Sequence, residues 1–275
     1  MYHSAINGIA FHPDNPLVLI AGPCVIESED HCLFMANALK SLTDRLNVPF
    51  IFKSSYLKAN RSSIDSYVGP GLIQGLKILE KVKNQFSVPV LSDVHSVEEV
   101  GPAAEVLDII QIPAFLCRQT ALLVAVGETG RIVNVKKGQF LSPYEVKNLV
   151  QKVFSTGNHK VLLTERGSSF GYNNLVVDMR SLEIMKGFGV PVVFDATHSV
   201  QLPGSQGSCS GGQKQFVACL AKAAVAVGVN ALFVEVHDRP DNAMCDGSNM
   251  ITPEELASLM PVLQQIDGIV KGNHR

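Results

Sequence analysis

Eight short runs rich in Val, Ile, Leu and Phe recur along the chain, about 30 residues apart, and this rhythm constrains the fold more than any other feature. The runs are LVLIAG (17–22), PFIFKS (49–54), VPVLSDV (88–94), LDIIQIP (107–113), RIVNVKK (131–137), KVLLTER (160–166), VPVVFDAT (190–197) and ALFVEVH (231–237). Each is almost continuously apolar, as parallel strands are when both faces are covered. Helical stretches separate them. Ser28, followed by Glu29 and Asp30, suits a helix N-terminus, and SVEE (96–99), SPYE (142–145) and TPEE (252–255) read as capping boxes. The last helix sets Leu256, Leu259, Leu263, Ile266 and Val270 on one face, with Pro261 expected to kink it or shift its start. Eight strands alternating with eight helices in 275 residues predict an α/β fold of the (β/α)8 TIM-barrel type. A doubly wound open sheet is the rival, but no GxGxxG follows the first strand and no surplus remains for a second domain. Residues 1–275 are therefore read as one barrel domain. Residues 1–16 form a hairpin about Asn7-Gly8 that closes its bottom.

Composition narrows the function. A formal net charge of -2 with 17% charged residues gives no global field for nucleic acid, so cationic chemistry must be local. The 46% hydrophobic share and 22 glycines suit a tightly wound α/β protein. Six cysteines without a short CxxC spacing suggest free thiols and a reducing cytoplasm. No signal peptide is evident at the N-terminus. The most apolar stretch, 216–236, is interrupted by Lys222, Gly228, Asn230 and Glu235, so no membrane span is expected.

In a barrel of this type the chemistry gathers where strands run into their following loops. Those ends carry, in order, Gly22-Pro23-Cys24, Lys53-Ser54-Ser55, Asp93 with His95, Gln111, Lys136-Lys137, Glu165-Arg166, Asp195 with His198, and Glu235 with His237. Structural needs alone do not place ionisable groups so regularly. The stretch FIFKSSYLKANRSS (50–63) is the densest in cations, hydroxyls and an amide. Lys53, Lys58, Arg61, Lys136 and Arg166 exceed the acids expected nearby and suit two phosphate or carboxylate groups, although any one of them could instead pair with a neighbouring carboxylate. Cys24, His198, Glu235 and Asp246 offer a thiolate, an imidazole and two carboxylates, a donor set for one divalent ion such as Zn, Fe or Mn. Spacing alone does not decide that point, because a cysteine after Gly-Pro is commonly buried structure. The segment SVQLPGSQGSCSGG (199–212) reads either as a mobile lid or as a plain connecting loop.

The motifs AGPCVIES, KSSYLKANRSS, SDVH, IQIPAFLCRQT, NVKKGQFLSP, TERGSSFGYNNLVVDMRS, DATHSVQLPG, SGG and EVHDRPDNAMCDG follow one another along almost the whole chain. Together they resemble the 3-deoxy-D-manno-octulosonate 8-phosphate (KDO8P) synthases. The resemblance implies condensation of phosphoenolpyruvate with D-arabinose 5-phosphate and water, releasing inorganic phosphate, a step toward the lipopolysaccharide core. It implies that Lys136 and Arg166 meet the enolpyruvate carboxylate and phosphate, with Lys53 and Lys58 beside them. Asn60, Arg61 and Ser62 would hold the sugar phosphate, and Ser55, Asp93, Gln111 and Gln201 would complete the substrate contacts. Catalytic roles fall to Lys136, His198, Asp246 and Cys24. Arg118 resembles a residue that reaches into a neighbouring subunit of a homotetramer. Cys24 stands where the family's metal-dependent branch has a cysteine ligand and the metal-independent branch an asparagine, which implies the set Cys24, His198, Glu235 and Asp246. The related 3-deoxy-D-arabino-heptulosonate 7-phosphate (DAHP) synthases typically carry a Lys-Pro-Arg-Thr pattern where this chain has Lys58-Ala59-Asn60-Arg61-Ser62-Ser63. Three alternatives stay open: a DAHP synthase-like enzyme using erythrose 4-phosphate, a Schiff-base aldolase with Lys136 as nucleophile, and a non-catalytic sugar-phosphate-binding barrel.

Overall fold

Asn7 and Gly8 both adopt positive φ, 47° and 81°, as a two-residue primed turn demands. They join β1 (Ser4–Ile6) to β2 (Ile9–Phe11) as the antiparallel hairpin expected from the sequence. A computed structural model describes residues 4–61, 63–205 and 210–272 of the chain. After the hairpin come β3 (Val18–Gly22), α1 (Glu29–Leu46), β4 (Phe50–Lys53), α2 (Leu72–Phe86), β5 (Val90–Asp93) and α3 (Val97–Val106). Then follow β6 (Ile109–Ile112), α4 (Thr120–Glu128), β7 (Ile132–Lys136), α5 (Val146–Phe154) and β8 (Val161–Glu165). A small pair, β9 (Ser168–Ser169) and β10 (Leu175–Val176), precedes α6 (Arg180–Lys186) and β11 (Val192–Asp195). The chain continues through β12 (Gln201–Leu202), β13 (Gly211–Gly212), α7 (Val217–Val227), β14 (Ala231–Glu235) and α8 (Pro253–Val270).

The strands β3, β4, β5, β6, β7, β8, β11 and β14 pair in parallel in that order, and β14 closes back on β3, with Ala231 opposite Val18 and Glu235 opposite Gly22. This is the predicted (β/α)8 barrel. Side chains alternate across each strand. One set, including Val18, Ile20, Ile51, Leu91, Ile109, Ile132, Leu162 and Val193, fills the lower interior, and Phe11 of the hairpin packs into it with Ile6 and Ile9 behind. The hairpin therefore closes the floor. The other set, such as Leu19, Phe52, Val90 and Leu163, packs outward against the helices in the larger core. Among the described residues no helix is long and apolar enough to cross a membrane.

The helix signals fare unevenly. Ser28 caps α1 by accepting the His31 N–H. The SPYE and TPEE capping boxes both form, the first on a 3-10 turn (Pro143–Glu145) that leads into α5. The third does not. Ser96 makes no side-chain cap to α3, and Glu99 turns instead to the His95 N–H at 2.8 Å and the Tyr56 hydroxyl at 2.7 Å. Tyr56 is fully buried, and its hydroxyl needs a partner more than an exposed helix end does. Pro261 lies inside α8 without displacing its start.

Candidate active site

Lys53 ends β4 at 1% exposure, its Nζ donating to Cys24 O (3.1 Å), Ser55 Oγ (3.0 Å) and Glu235 Oε1 (3.3 Å). The approach of β3 to β4 beneath it requires Gly22, because a Cβ there would lie 1.9 Å from the Lys53 carbonyl oxygen. From Lys53 a chain of buried hydrogen bonds runs around the barrel. The Ser55 hydroxyl and Gln111 Nε2 both donate to Asp93, Asn134 Nδ2 donates to Gln111 Oε1 at 2.8 Å, and Thr164 Oγ1 donates to Asn134 Oδ1 at 2.7 Å. Burial alone would raise the Asp93 pKa, but Lys53, Lys58, His95 and Lys136 outweigh it and hold the carboxyl ionised far below its ordinary range. Donors thus converge on the fixed negative charge of Asp93 from both sides, from Lys53 through Ser55 and from Thr164 through Asn134 and Gln111.

On the opposite wall Asp195 Oδ2 lies 2.6 Å from Lys136 Nζ and 2.7 Å from His198 Nδ1, and Asp195 Oδ1 accepts the His198 backbone N–H. Lys136 also sits 4.2 Å above the centre of the Phe233 ring. Burial, together with the charge of Lys53, lowers the Lys136 pKa despite Asp195.

The surplus of cations is narrower than the strand ends suggest. Lys53 and Lys58 share Glu235, and Lys136 takes Asp195. Two arginines carry what is left. Arg166 donates from Nη2 to Gln201 Oε1 at 2.9 Å, while its buried Nη1 has no hydrogen-bond partner among the described residues. Arg61 donates from Nη1 to Cys245 Sγ at 2.8 Å, and its buried Nε has no partner among the described residues. Both border one cavity, shared with Lys53, Lys58, Lys136 and Asn60. A guanidinium shielded from water with a free N–H is a ready receptor for a carboxylate or phosphate oxygen.

At the side of this cavity three of the predicted ligands group together, and the fourth, Cys24, joins them through Asp246 in a second group that includes Cys245. His198, Glu235 and Asp246 have donor atoms mutually within 4.8 Å, and so do Cys24, Cys245 and Asp246. His198 Nε2 is 3.6 Å from Glu235 Oε1 and 3.9 Å from Asp246 Oδ2; Cys24 Sγ is 3.6 Å from Asp246 Oδ2. The residues suit a divalent ion on three counts. Asp195 occupies His198 Nδ1 and leaves Nε2 facing the carboxylates, as outer carboxylates do for metal-bound imidazoles. Glu235 Oε2 is buried with no hydrogen-bond partner. Asp246 is held at a φ of 49°, a left-handed conformation that a non-glycine residue seldom takes without a local reason.

The DAHP synthetase I family model matches residues 3–272, nearly the whole barrel. The chain belongs to the DAHP synthetase I family. A 2-dehydro-3-deoxyphosphooctonate aldolase of Pelobacter propionicus is 58% identical over 266 residues, covering 97% of this chain and 98% of its own. Proteins of the same name from Geobacter sulfurreducens and Trichlorobacter lovleyi are 58% and 60% identical, over 97% and 93% of this chain and 98% and 94% of theirs.

In this member of the DAHP synthetase I family, Lys53, Lys58, Asn60, Arg61, Asp93, Gln111, Lys136, Arg166, His198, Gln201 and Asp246 border the cavity directly. Cys24, Ser55 and Glu235 are buried just behind that lining. Arg118 is exposed outside it, with its carbonyl accepting Lys152 Nζ. Ser62 and Cys209 lie outside the described residues. Residues 206–209 of the segment 199–212 lie outside the described residues; at its base β12 and β13 pair, and Pro203, Gly204 and Ser210 border the cavity. Cys245 was not foreseen. Its Sγ lies 3.1 Å from Cys24 Sγ, and its only signal in the sequence is its place beside Asp246.

Proposed function

We propose that the chain condenses phosphoenolpyruvate with D-arabinose 5-phosphate and water to form KDO8P and inorganic phosphate. The names of its relatives support this, since 2-dehydro-3-deoxyphosphooctonate is the same compound. The observation that carries the reading is the pair of shielded arginines on one cavity, each with an unpartnered N–H, because two anionic substrates need two anion receptors. Arg166, with Lys136, receives the enolpyruvate; Arg61 and Asn60 receive the sugar phosphate. Lys53 and Lys58 stand between them. Fixing both substrates in line lets carbon 3 of the enol attack the aldehyde without a search for orientation. Carbon 2 then takes on oxocarbenium character and is met by water, and phosphate departs by carbon–oxygen cleavage. Lys136, its pKa lowered by burial, is placed to give a proton to the developing alkoxide.

We also infer that the chain is of the metal-dependent kind, with Cys24, His198, Glu235 and Asp246 holding one Zn, Fe or Mn ion. Such an ion, when bound, supplies Lewis-acid polarisation of the aldehyde or of a water. The exposed position of Arg118, away from its own cavity, supports a homotetramer in which it serves a neighbouring site. The chemistry is tested by supplying phosphoenolpyruvate with arabinose 5-phosphate or with erythrose 4-phosphate and measuring phosphate release. We expect release with the pentose phosphate. Release with the tetrose alone, or with neither, would refute the assignment.

A further inference from the structure

A second group of potential ligands lies beside the cavity but takes no part in the proposed reaction. Glu27 follows β3, His31 sits in the first turn of α1, and His237 follows β14. One donor atom from each lies within 4.8 Å of the other two. The two imidazole rings face each other with centroids 4.5 Å apart.

Their hydrogen bonding is incomplete on the inner side. His237 is 4% exposed, and among the described residues its Nε2 has no hydrogen-bond partner, although Glu27 Oε1 is 3.3 Å away. His31 Nδ1 is likewise buried and unpartnered. On the outer side both rings reach the same carboxylate: Asp238 Oδ1 is 3.0 Å from His31 Nε2 and 3.2 Å from His237 Nδ1. An outer carboxylate that takes the far N–H of an imidazole fixes the tautomer whose other nitrogen carries a lone pair. His31 meets this condition directly; His237 Nδ1 also accepts the Arg239 N–H at 2.9 Å, so a metal on its Nε2 requires Nδ1 to turn its proton to Asp238 and give up that bond. Two neutral imidazoles and one carboxylate, with a second carboxylate behind them, match the charge and donor preference of a divalent transition ion.

We propose that Glu27, His31 and His237 form a second metal site, separate from the one at Cys24, which takes zinc or a similar borderline divalent cation. Glu27 Oε1 also accepts the Met244 N–H at 2.9 Å, next to Cys245 and Asp246. An ion at the second site therefore ties the start of α1 to the loop that carries Asp246, and its role is to anchor that loop.

The test counts zinc. The full chain, stripped with a chelator, is dialysed against zinc buffered at a micromolar free concentration, and the bound metal per folded chain is measured. The variants are His31→Ala, Glu27→Gln, Cys24→Ala and the double variant Cys24→Ala/His31→Ala. His31 is partly exposed and Glu27→Gln keeps its shape, so both variants preserve the fold, which circular dichroism verifies. We expect His31→Ala and Glu27→Gln each to lose about one zinc per chain relative to the parent, and the double variant to lose about one more than Cys24→Ala alone. Unchanged zinc in both variants would overturn the second site. If Cys24→Ala loses nothing while His31→Ala loses its ion, the second site stands and the first reading falls.

Discussion

Cys24 is a thiol whose surroundings oppose its ionisation. Burial, then the Cys245 side chain and the charge of Glu235, push its pKa well above the ordinary value, so without an ion it stays a neutral S–H. A divalent cation reverses that preference by binding the thiolate. Replacing Cys24 by alanine removes the sulfur and leaves a hole; metal content and turnover should both fall, turnover on the order of 100-fold or more. Asparagine there is a poor transition-metal ligand but can hydrogen-bond a water or substrate oxygen. Cys24→Asn should therefore keep measurable turnover that a chelator does not abolish. If it is as inactive as Cys24→Ala while folding and binding substrate normally, the ion supplies more than geometry. Cys24, His198 and Glu235 were legible because each stands at or just past the end of an apolar run, whereas Asp246 lies eleven residues beyond β14 and only the motif around it drew attention to it. Their partners were less so: sequence places Asp195 on the rim, but not its shared hold on Lys136 and His198. Cys245 becomes visible as a neighbour of Cys24 only once the loop after β14 folds back.

At the scale of elements, legibility follows the range of the interaction. The SPYE and TPEE boxes close within one turn, so four consecutive residues suffice to specify them. SVEE has the same letters, but its glutamate is claimed by Tyr56, which lies 43 positions away. No local pattern contains that competition. The β12–β13 pair was hidden for a similar reason. Gly211 and Gly212 read as loop, yet a Cβ at Gly212 would lie 1.6 Å from Asn249 Oδ1, so the glycine admits a distant segment against a strand. The barrel strands were easier, since burial on both faces writes itself as a run of apolar residues.

At the scale of the whole molecule, Arg118 tests the assembly. It belongs to a conspicuous motif whose Phe115 and Leu116 border the cavity, yet Arg118 itself is exposed and takes no part in that lining. If it completes a neighbour's site, mixed oligomers of Arg118→Ala chains with Lys136→Ala chains should regain activity, because some sites then draw both intact residues. Confirmed mixing without recovery would show that Arg118 serves its own barrel. The apolar floor sealed by Phe11 has another consequence for the molecule. With the strand side chains packed above it, that floor leaves the cavity, among the described residues, open at the rim where the strands end, and the substrates and products pass there. Such a cavity fills from the back. Arg166, Lys136 and Lys53 are almost wholly buried, whereas Arg61 sits in a loop with exposed Asn60 at the threshold. If the enolpyruvate is held at Arg166 and the sugar phosphate at Arg61, as proposed, the first must be seated before the second shuts the way behind it. Initial rates should accordingly obey an ordered scheme with the enolpyruvate first, and a random-order pattern would mean that the threshold group moves aside. An ordered scheme would mean that the packed floor of the barrel, hairpin included, shapes the queue of reactants without touching any of them.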